Sequence, residues 1–198
     1  MPEPCFAAVL LAAGGSARLG RPKQLIRIGG ESLLRRTARI ALEAGLAPVF
    51  VVLGYRAGEM EPELEGLAVT VLLNERWQEG MGSSLHCGVA SVSGLRPEPS
   101  GVVLMVCDQL RLNREHLRAL LTCQSEGDSW ITASFYGGRA GVPAVFSRRL
   151  LPALLAVRGD RGARDLIAGY PEQTKLVPWP DGALDLDLPE DLKPGRVE

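Results

Sequence analysis

The chain has 198 residues, of which 46% are hydrophobic, and a formal net charge of −1. This length is sufficient for one domain with a sizeable core, and we expect residues 1–198 to form a single domain. The near-neutral charge gives no broad basic field, so neither nucleic acid nor an acidic membrane is an expected partner. No apolar run reaches the ~20 residues of a membrane span, and the N-terminus lacks the basic segment of a secretory signal. We therefore expect a cytoplasmic location.

Short apolar runs and amphipathic segments alternate along the chain. The apolar runs predict strands at Phe6–Leu11, Pro48–Leu53, Ala68–Leu73, Val102–Cys107, Trp130–Ser134, Pro143–Phe146 and Lys175–Val177. The segments between them predict helices at Ser32–Ala44, Arg56–Glu63, Ser83–Val92, Arg114–Ser125, Ser147–Leu155 and Ala163–Ala168. This alternation predicts an α/β, single-domain, Rossmann-like fold with a mostly parallel sheet and helices on both faces. Ligands of such sheets bind beyond the carboxyl ends of the strands, where we expect Gly14, Asn74 and Asp108.

The first predicted strand leads into a glycine-rich loop, LLAAGGSARLGRPKQL at residues 10–25. Gly14 and Gly15 allow backbone N–H groups to approach an anion, and Arg18 and Lys23 add positive charge behind them. The segment is not a P-loop, which needs a Lys followed by Ser or Thr. It is not a dinucleotide fingerprint either, because its two leading glycines are adjacent. We predict a polyphosphate-binding loop of another kind.

The spacing A-A-G-x-x-x-R-x-x-x-x-K-Q-L resembles the signature of the nucleotidyltransferases that load a nucleoside monophosphate onto a phosphorylated acceptor. Within that superfamily the chain is most similar to the molybdenum cofactor cytidylyltransferases. Five further segments follow in the family's order: WQEGMGSSLHCGV at 77–89, VCDQ at 106–109, GVPAVF at 141–146, GDRGARDLI at 159–167 and DLDLPEDL at 185–192. The resemblance implies Mg²⁺-dependent transfer of CMP from CTP to the phosphate of molybdopterin or molybdenum cofactor, with release of pyrophosphate.

The resemblance also implies which residues bind the nucleotide. They belong to the glycine-rich loop and to the G-M-G-S-S segment: Leu11, Ala12, Ala13, Gly14, Gly15, Lys23, Gly82, Ser83 and Ser84. Small side chains at 12–14 leave room for the base and ribose to approach the main chain. Ser83 has a competing role as a helix N-cap. Lys23 is expected at the α-phosphate or the leaving oxygen, and Arg18 at the β- and γ-phosphates.

Asp108 follows an almost wholly apolar run, VVLMVC, so its carboxylate is expected at a strand end, where it can bind a hard cation. Without the resemblance, a turn or helix cap would be its ordinary role. By resemblance to the family's D-x-D-T-P-E-D pattern, Asp187 is the second Mg²⁺ ligand and Asp185 the alternate. Leu188 stands where the family usually has Thr. Asp108 joins Lys23 and Arg18 as the implied catalytic residues.

Two segments border the implied acceptor site. The residues concerned are Gly138, Arg139, Gly141 and Pro143 in the first segment, and Asp160 and Arg164 in the second. From composition alone, a hairpin turn with an exposed arginine is the favoured interpretation of the first segment, and Asp160 has an alternative role as a helix cap. By resemblance, the glycines and arginines of the second segment could receive the terminal phosphate of the pterin.

The cysteine and histidine patterns point to no further chemistry. The four cysteines are far apart, with neither metal-ligand nor disulfide spacing, so we expect reduced, mostly buried thiols. His86 and His116 are assigned to structure or surface. A phosphate monoester is largely dianionic at neutral pH and can attack a triphosphate without a general base, so a catalytic histidine is not required.

Three alternatives remain open. The acceptor could be a sugar phosphate or methylerythritol phosphate, or the nucleotide could be GTP. The A-A-G start resembles the CTP users, whereas the guanylyl branch typically has A-G-G. The chain could also be a noncatalytic nucleotide-binding module, such as a chaperone that delivers the pterin cofactor to an apo-enzyme. The presence of Arg18, Lys23, Asp108 and Asp187 together favours turnover.

Overall fold

The structure is a computed structural model that describes residues 4–16 and 19–183. Within these ranges the strands are Phe6–Leu11 (β1), Arg27–Ile28 (β2), Glu31–Ser32 (β3), Val49–Leu53 (β4), Val69–Leu73 (β5), Gly101–Val106 (β6), Ile131–Tyr136 (β7), Arg139–Ser147 (β8) and Thr174–Pro178 (β9). The α-helices are Leu33–Glu43 (α1), Ala57–Met60 (α2), Met81–Ser93 (α3), Arg114–Ser125 (α4), Leu151–Leu155 (α5) and Ala163–Gly169 (α6). None of the described helices is long and apolar enough to cross a membrane.

The main sheet has seven strands in the order β5-β4-β1-β6-β8-β7-β9, and β2 and β3 form a separate small hairpin. Neighbouring strands are parallel except around β8, which runs antiparallel to both β6 and β7. A two-residue turn at Gly137 and Gly138 joins β7 to β8, and such a tight turn can connect only antiparallel strands. The predicted mostly parallel, Rossmann-like sheet is confirmed, with β8 as the exception.

Helices cover both faces of the sheet, as predicted. In β1, Ala8 and Leu10 lie in the hydrophobic cluster formed with α1, α2 and α4. The alternate residues Ala7 and Val9 lie in a second cluster with α3, α5 and α6. A strand that is apolar on both faces must be covered twice, and the near-continuous apolar sequence of β1 reflects this burial.

Two predicted helices are shorter than expected. The helix predicted at Arg56–Glu63 is α2 followed by a 3₁₀ turn at Glu61–Leu64, in which Pro62 has no N–H to continue the α-helical bonds. The helix predicted at Ser147–Leu155 begins only at Leu151, because β8 extends to Ser147 and a 3₁₀ turn follows at Arg148–Leu150.

The cysteine side chains are less buried than predicted. All four are free thiols, but only Cys107 is buried, Cys87 and Cys123 are half-buried, and Cys5 is exposed. Burial raises the pKa of the Cys107 thiol to about 12, so it is protonated at neutral pH. The prediction of mostly buried thiols was therefore wrong for Cys5.

Candidate active site

A cavity of about 590 Å³ opens at the carboxyl ends of β1 and β6. The glycine-rich loop, Lys23, the start of α3 and Asp108 all contribute to its lining. Asn74 follows β5 at the same edge of the sheet. The predicted convergence of Gly14, Asn74 and Asp108 is therefore observed.

The glycine-rich loop is held from behind by a buried side chain. Gln24 is 1% exposed, and its Nε2 donates to the carbonyl oxygens of Ala12 and Gly14, both at 2.8 Å. The carbonyl oxygen of Ala13 accepts from the N–H of Tyr55 at 3.0 Å. With these carbonyls bonded to protein, the N–H groups of Gly14 and Gly15 have no hydrogen-bond partner among the described residues. The loop thus presents free donors beside the cavity, as an anion site requires.

Lys23 and Asp108 form an ion pair in the wall of the cavity. Asp108 lies two residues beyond β6, and Lys23 begins the 3₁₀ turn Lys23–Leu25. Their side chains are only 23% and 15% exposed, so both charges are partly shielded from water. A cation and an anion therefore stand side by side next to the free N–H groups of the loop.

Asp108 also fits a metal ion, because its carboxylate faces the cavity and already binds a cationic group there. No group of three or more His, Cys, Asp or Glu side chains suited to a metal occurs within residues 4–16 and 19–183. Asp185 and Asp187 lie outside the described residues, as does Arg18.

The start of α3 is set by Gly80 and not by Ser83. Gly80 is the N-cap, with φ of 97°, and a Cβ there would lie 2.6 Å from the carbonyl carbon of Gly159. Ser83 is inside the helix, so its alternative role as an N-cap is excluded. The Gly82 N–H donates to the Gly159 carbonyl at 2.8 Å. Glycines at 80 and 82 thus allow the loop around residue 159 to contact the helix start closely.

That contact brings Asp160 to the rim of the cavity. Asp160 does not cap α6, because Gly162 is the N-cap and its N–H donates to Asp165 at 3.0 Å. Arg164 is exposed on α6 and does not line the cavity. Of the two residues named in the second acceptor segment, only Asp160 therefore lies in the same cavity as the predicted nucleotide-binding residues.

The first acceptor segment is a hairpin with a bulge. Gly138 and Arg139 are exposed at the β7–β8 turn and do not line the cavity. Gly141 packs under the Tyr136 ring, since a Cβ there would lie 2.5 Å from its hydroxyl oxygen. Pro143 lies in the bulge, where the ladder shifts by two residues.

The bulge is tied to the segment that carries Asp108. Gln109 donates from Nε2 to the Val142 carbonyl at 2.7 Å, and Ser134 donates to the Pro143 carbonyl at 2.6 Å. These side chains satisfy carbonyl groups that the bulge removes from the ladder. The predicted G-x-P segment is thus held directly beside the C-D-Q turn.

Trp77 forms an aromatic wall of the cavity, a role that the sequence motifs did not predict. Its ring meets Tyr55 edge-on, with 5.4 Å between centroids. It also packs on Gly54, where a Cβ would lie only 2.7 Å from Trp77 Cβ. A large aromatic residue soon after β5 was the available sequence signal. Its partners Gly54 and Tyr55 follow a different strand, β4, so the contact was not visible in the sequence.

A glycine-rich anion loop, a Lys–Asp pair and a shared cavity at the strand ends of a Rossmann-like sheet suit the transfer of a nucleotidyl group, the chemistry of the nucleotidyltransferases. The sequence pattern of the MobA-like NTP transferase domain matches residues 8–175, and the chain belongs to that family.

Two curated relatives are similar over most of their length. Nicotine blue oxidoreductase of Paenarthrobacter nicotinovorans is 30% identical over 194 residues, which cover 93% of this chain and 92% of the relative. Purine catabolism protein PucB of Bacillus subtilis strain 168 is 30% identical over 176 residues, which cover 84% and 82%.

Solved structures share the fold. Rv0371c from Mycobacterium tuberculosis H37Rv superposes with a TM-score of 0.81 at 27% identity, covering 95% of both chains. A manganese complex of the same protein superposes with a TM-score of 0.74 at 26% identity and the same coverage.

Proposed function

We propose that this nucleotidyltransferase transfers CMP from CTP to the phosphate of molybdopterin or molybdenum cofactor, releasing pyrophosphate. The observation that carries the proposal is the Lys23–Asp108 pair beside the free N–H groups of Gly14 and Gly15. Donors, a cation and a metal-binding carboxylate at one cavity wall suit a triphosphate. The choice of cytosine and of a pterin acceptor rests on the motif resemblance.

The residues act by positioning and by charge. The N–H groups of Gly14 and Gly15 hold phosphate oxygens, and Lys23 neutralises charge that develops toward the pyrophosphate leaving group. The acceptor phosphate attacks the α-phosphorus as a dianion and needs no base. By resemblance, Arg18 contacts the β- and γ-phosphates.

Asp108 would hold Mg²⁺, with Asp187 as the second ligand by resemblance. When bound, the ion supplies positive charge that neutralises the triphosphate. A carboxylate oxygen is the kind of ligand that Mg²⁺ prefers, and the Rv0371c manganese complex supports divalent-metal use in a related protein.

The acceptor enters from the side of Asp160 and the β7–β8 hairpin. The turn at Gly137 and Gly138, which Arg139 follows directly, projects from the same edge of the sheet as Asp108, because β7 and β6 are parallel to each other and both antiparallel to the intervening β8. Gly141 and Pro143 position the strand next to this edge. By resemblance, Arg164, which lies outside the cavity on α6, supplies a further cation for the terminal phosphate. An apo-molybdoenzyme would receive the product.

Pyrophosphate release tests the proposal. Molybdopterin, its metal-loaded form, methylerythritol phosphate and a sugar phosphate are each combined with CTP, GTP, UTP or ATP in the presence of Mg²⁺. We expect CTP with a pterin acceptor to be at least ~10-fold more efficient than GTP, which is roughly 1.4 kcal/mol in transition-state binding. A GTP preference would reject the cytidylyl assignment, and turnover with a non-pterin acceptor would reassign the substrate.

Two controls separate the other classes of function. Triphosphate and pterin binding without pyrophosphate release would indicate a noncatalytic carrier. A redox reaction on nicotine blue, followed by the dye's absorbance with a reduced nicotinamide as electron donor, would indicate the activity for which the 30% identical relative is named.

A further inference from the structure

Asn74 connects the end of β5 to the start of α3 through three side-chain hydrogen bonds. It is 5% exposed and follows the last residue of β5. Its Oδ1 accepts from the N–H of Arg76 at 3.0 Å. Its Nδ2 donates to Ser83 Oγ at 2.9 Å and to Ser84 Oγ at 3.0 Å.

The orientation of this amide is fixed by its partners. The Arg76 backbone N–H can only donate, so the Asn74 oxygen must face it. Nδ2 then faces the two serines, and both serine oxygens accept a hydrogen bond from it. Each serine must place its own hydroxyl hydrogen elsewhere.

The two serines place that hydrogen differently. Ser83 Oγ has two acceptors for its single hydrogen, the carbonyl oxygens of Arg76 at 2.8 Å and Gly80 at 2.9 Å, so this hydrogen is used within the loop. Ser84 Oγ donates to no acceptor among the described residues, and Ser84 lines the cavity. Ser84 therefore offers a hydrogen-bond donor to a ligand in the cavity.

We propose that Asn74 is a specificity-determining positioning residue: it holds the Ser84 hydroxyl as a donor to N3 of cytosine. In cytosine N3 is an acceptor, whereas uracil carries a hydrogen on N3 and would face this donor with another donor. Asn74 thereby favours CTP over UTP. This inference rests on the proposed function, because it assumes that the base occupies the cavity at Ser84.

The test is a double-mutant cycle read as the ratio of kcat/KM for CTP to that for UTP. In Asn74→Asp the carboxylate still accepts from Arg76, but it also accepts the Ser84 hydrogen and removes the donor from the cavity. We expect the CTP/UTP ratio to fall at least ~10-fold in Asn74→Asp and in Ser84→Ala. In the double variant the CTP/UTP ratio should be no more than about twofold below that of either single variant, because both changes remove the same contact.

Two further variants control for charge and fold. A new negative charge repels both triphosphates alike, so it lowers both rates without changing their ratio. Asn74→Ser keeps an acceptor for the turn, adds no charge and is too short to reach Ser84, so it should reduce the ratio as well. Asn113→Asp, an exposed N-cap outside the cavity, provides the matched Asn→Asp change and should keep the wild-type ratio.

Unchanged ratios in Asn74→Asp and Asn74→Ser, or independent losses that multiply in the double variant, would overturn the inference. Calorimetric binding of CTP and UTP to the same proteins separates it from the proposed function. If the wild type releases no pyrophosphate but its CTP/UTP affinity ratio falls in both Asn74 variants, the inference stands and the proposed transfer fails. Equal wild-type affinities for CTP and UTP, or no binding of either, overturn the inference.

Discussion

Individual charges at the strand ends determine what the cavity can do. Lys23 and Asp108 come from segments 85 residues apart and meet in an ion pair with both side chains mostly buried. A partly buried pair holds each group in a defined position, since moving either one exposes the other as an unpaired charge. The pair therefore keeps an ammonium group in place for phosphate binding.

Removing the ammonium of Lys23 should affect transfer far more than folding. We expect Lys23→Ala to reduce kcat/KM at least ~100-fold, the scale for loss of one preorganised charge contact in the transition state. Pyrophosphate release measures the effect, and thermal unfolding checks that the variant is folded. Arg21→Ala removes an equal charge from an exposed position near the same turn and serves as the matched control. Near-normal turnover in folded Lys23→Ala would remove this lysine from the mechanism.

Asp108→Asn tests the metal assignment at constant side-chain volume. The neutral amide is a weaker ligand for a hard cation, so activity should collapse and the Mg²⁺ concentration for half-maximal rate should rise. Asp160→Asn removes the same charge at the rim of the same cavity and should leave the Mg²⁺ requirement near the wild-type value. The assignment is wrong if Asp160→Asn shifts the Mg²⁺ requirement more than Asp108→Asn does.

At the level of elements, the position of α3 relative to the sheet determines the shape of the cavity. The helix crosses β1 closely at Gly88, where a Cβ would lie 2.3 Å from Cγ1 of the buried Val9. The same helix begins against the loop at residue 159. Close packing at Gly88, in the middle of α3, therefore fixes the position of Ser84 near the start of the helix.

Gly88→Ala should destabilise the protein although alanine favours helices. Overpacking against a fixed β-branched side chain costs about 1–3 kcal/mol, whereas the helix-propensity gain is at most ~1 kcal/mol. Gly94→Ala is the matched control, because Gly94 has φ of −81° at the end of α3 and a Cβ there would make only ordinary contacts, the nearest 3.5 Å from the carbonyl oxygen of Ser91. The free energy of unfolding of Gly94→Ala should be about 0.4–1 kcal/mol higher than that of the wild type. Urea unfolding measures both, and equal stability of the two variants would contradict the packing argument.

The elements and the nucleotide-side residues were largely predictable because they depend on local patterns. The apolar runs identified the strands, and the glycine-rich loop and Asp108 follow two of them directly. The β8 bulge was not predictable, because its carbonyl groups are satisfied by Gln109, in the segment after β6, and by Ser134 on β7. The role of Asn74 depends on a partner helix ten residues away, and the N-cap at Gly80 depends on the loop at residue 159. Such contacts arise from tertiary packing, which propensity and spacing do not encode.

Over the whole molecule, one buried imidazole links several elements. His116 on α4 contacts Ser134 Oγ on β7 at 2.7 Å and stacks on Trp179, with 4.5 Å between ring centroids. Ser134 Oγ donates to the Pro143 carbonyl, so His116 Nε2 must be the donor in their contact. The prediction that His116 is structural is consistent with this position away from the cavity.

Acid should destabilise the fold through His116. Burial lowers the pKa of His116 from its ordinary 6.5 to about 4, so the unfolded chain binds more protons between these values. The stability that this neutral group contributes is present above pH 6.5 and is lost progressively toward pH 4. Urea unfolding at pH 7.5 and 4.5 should show a smaller acid-induced loss in His116→Gln, whose amide can still donate to Ser134. Parallel pH dependence in the two proteins would contradict this expectation.

The β7–β8 turn is a position that tolerates insertions, at the same edge of the sheet as the cavity. Gly137 and Gly138 are exposed, and the paired strands hold the ends of the turn together. Each doubling of loop length costs only about 0.6 kcal/mol in closure entropy, so an inserted peptide would leave the nucleotide half of the sheet intact. Insertions at this turn could therefore change which acceptors bind, in evolution or by engineering. The residues that bind the triphosphate would stay as they are.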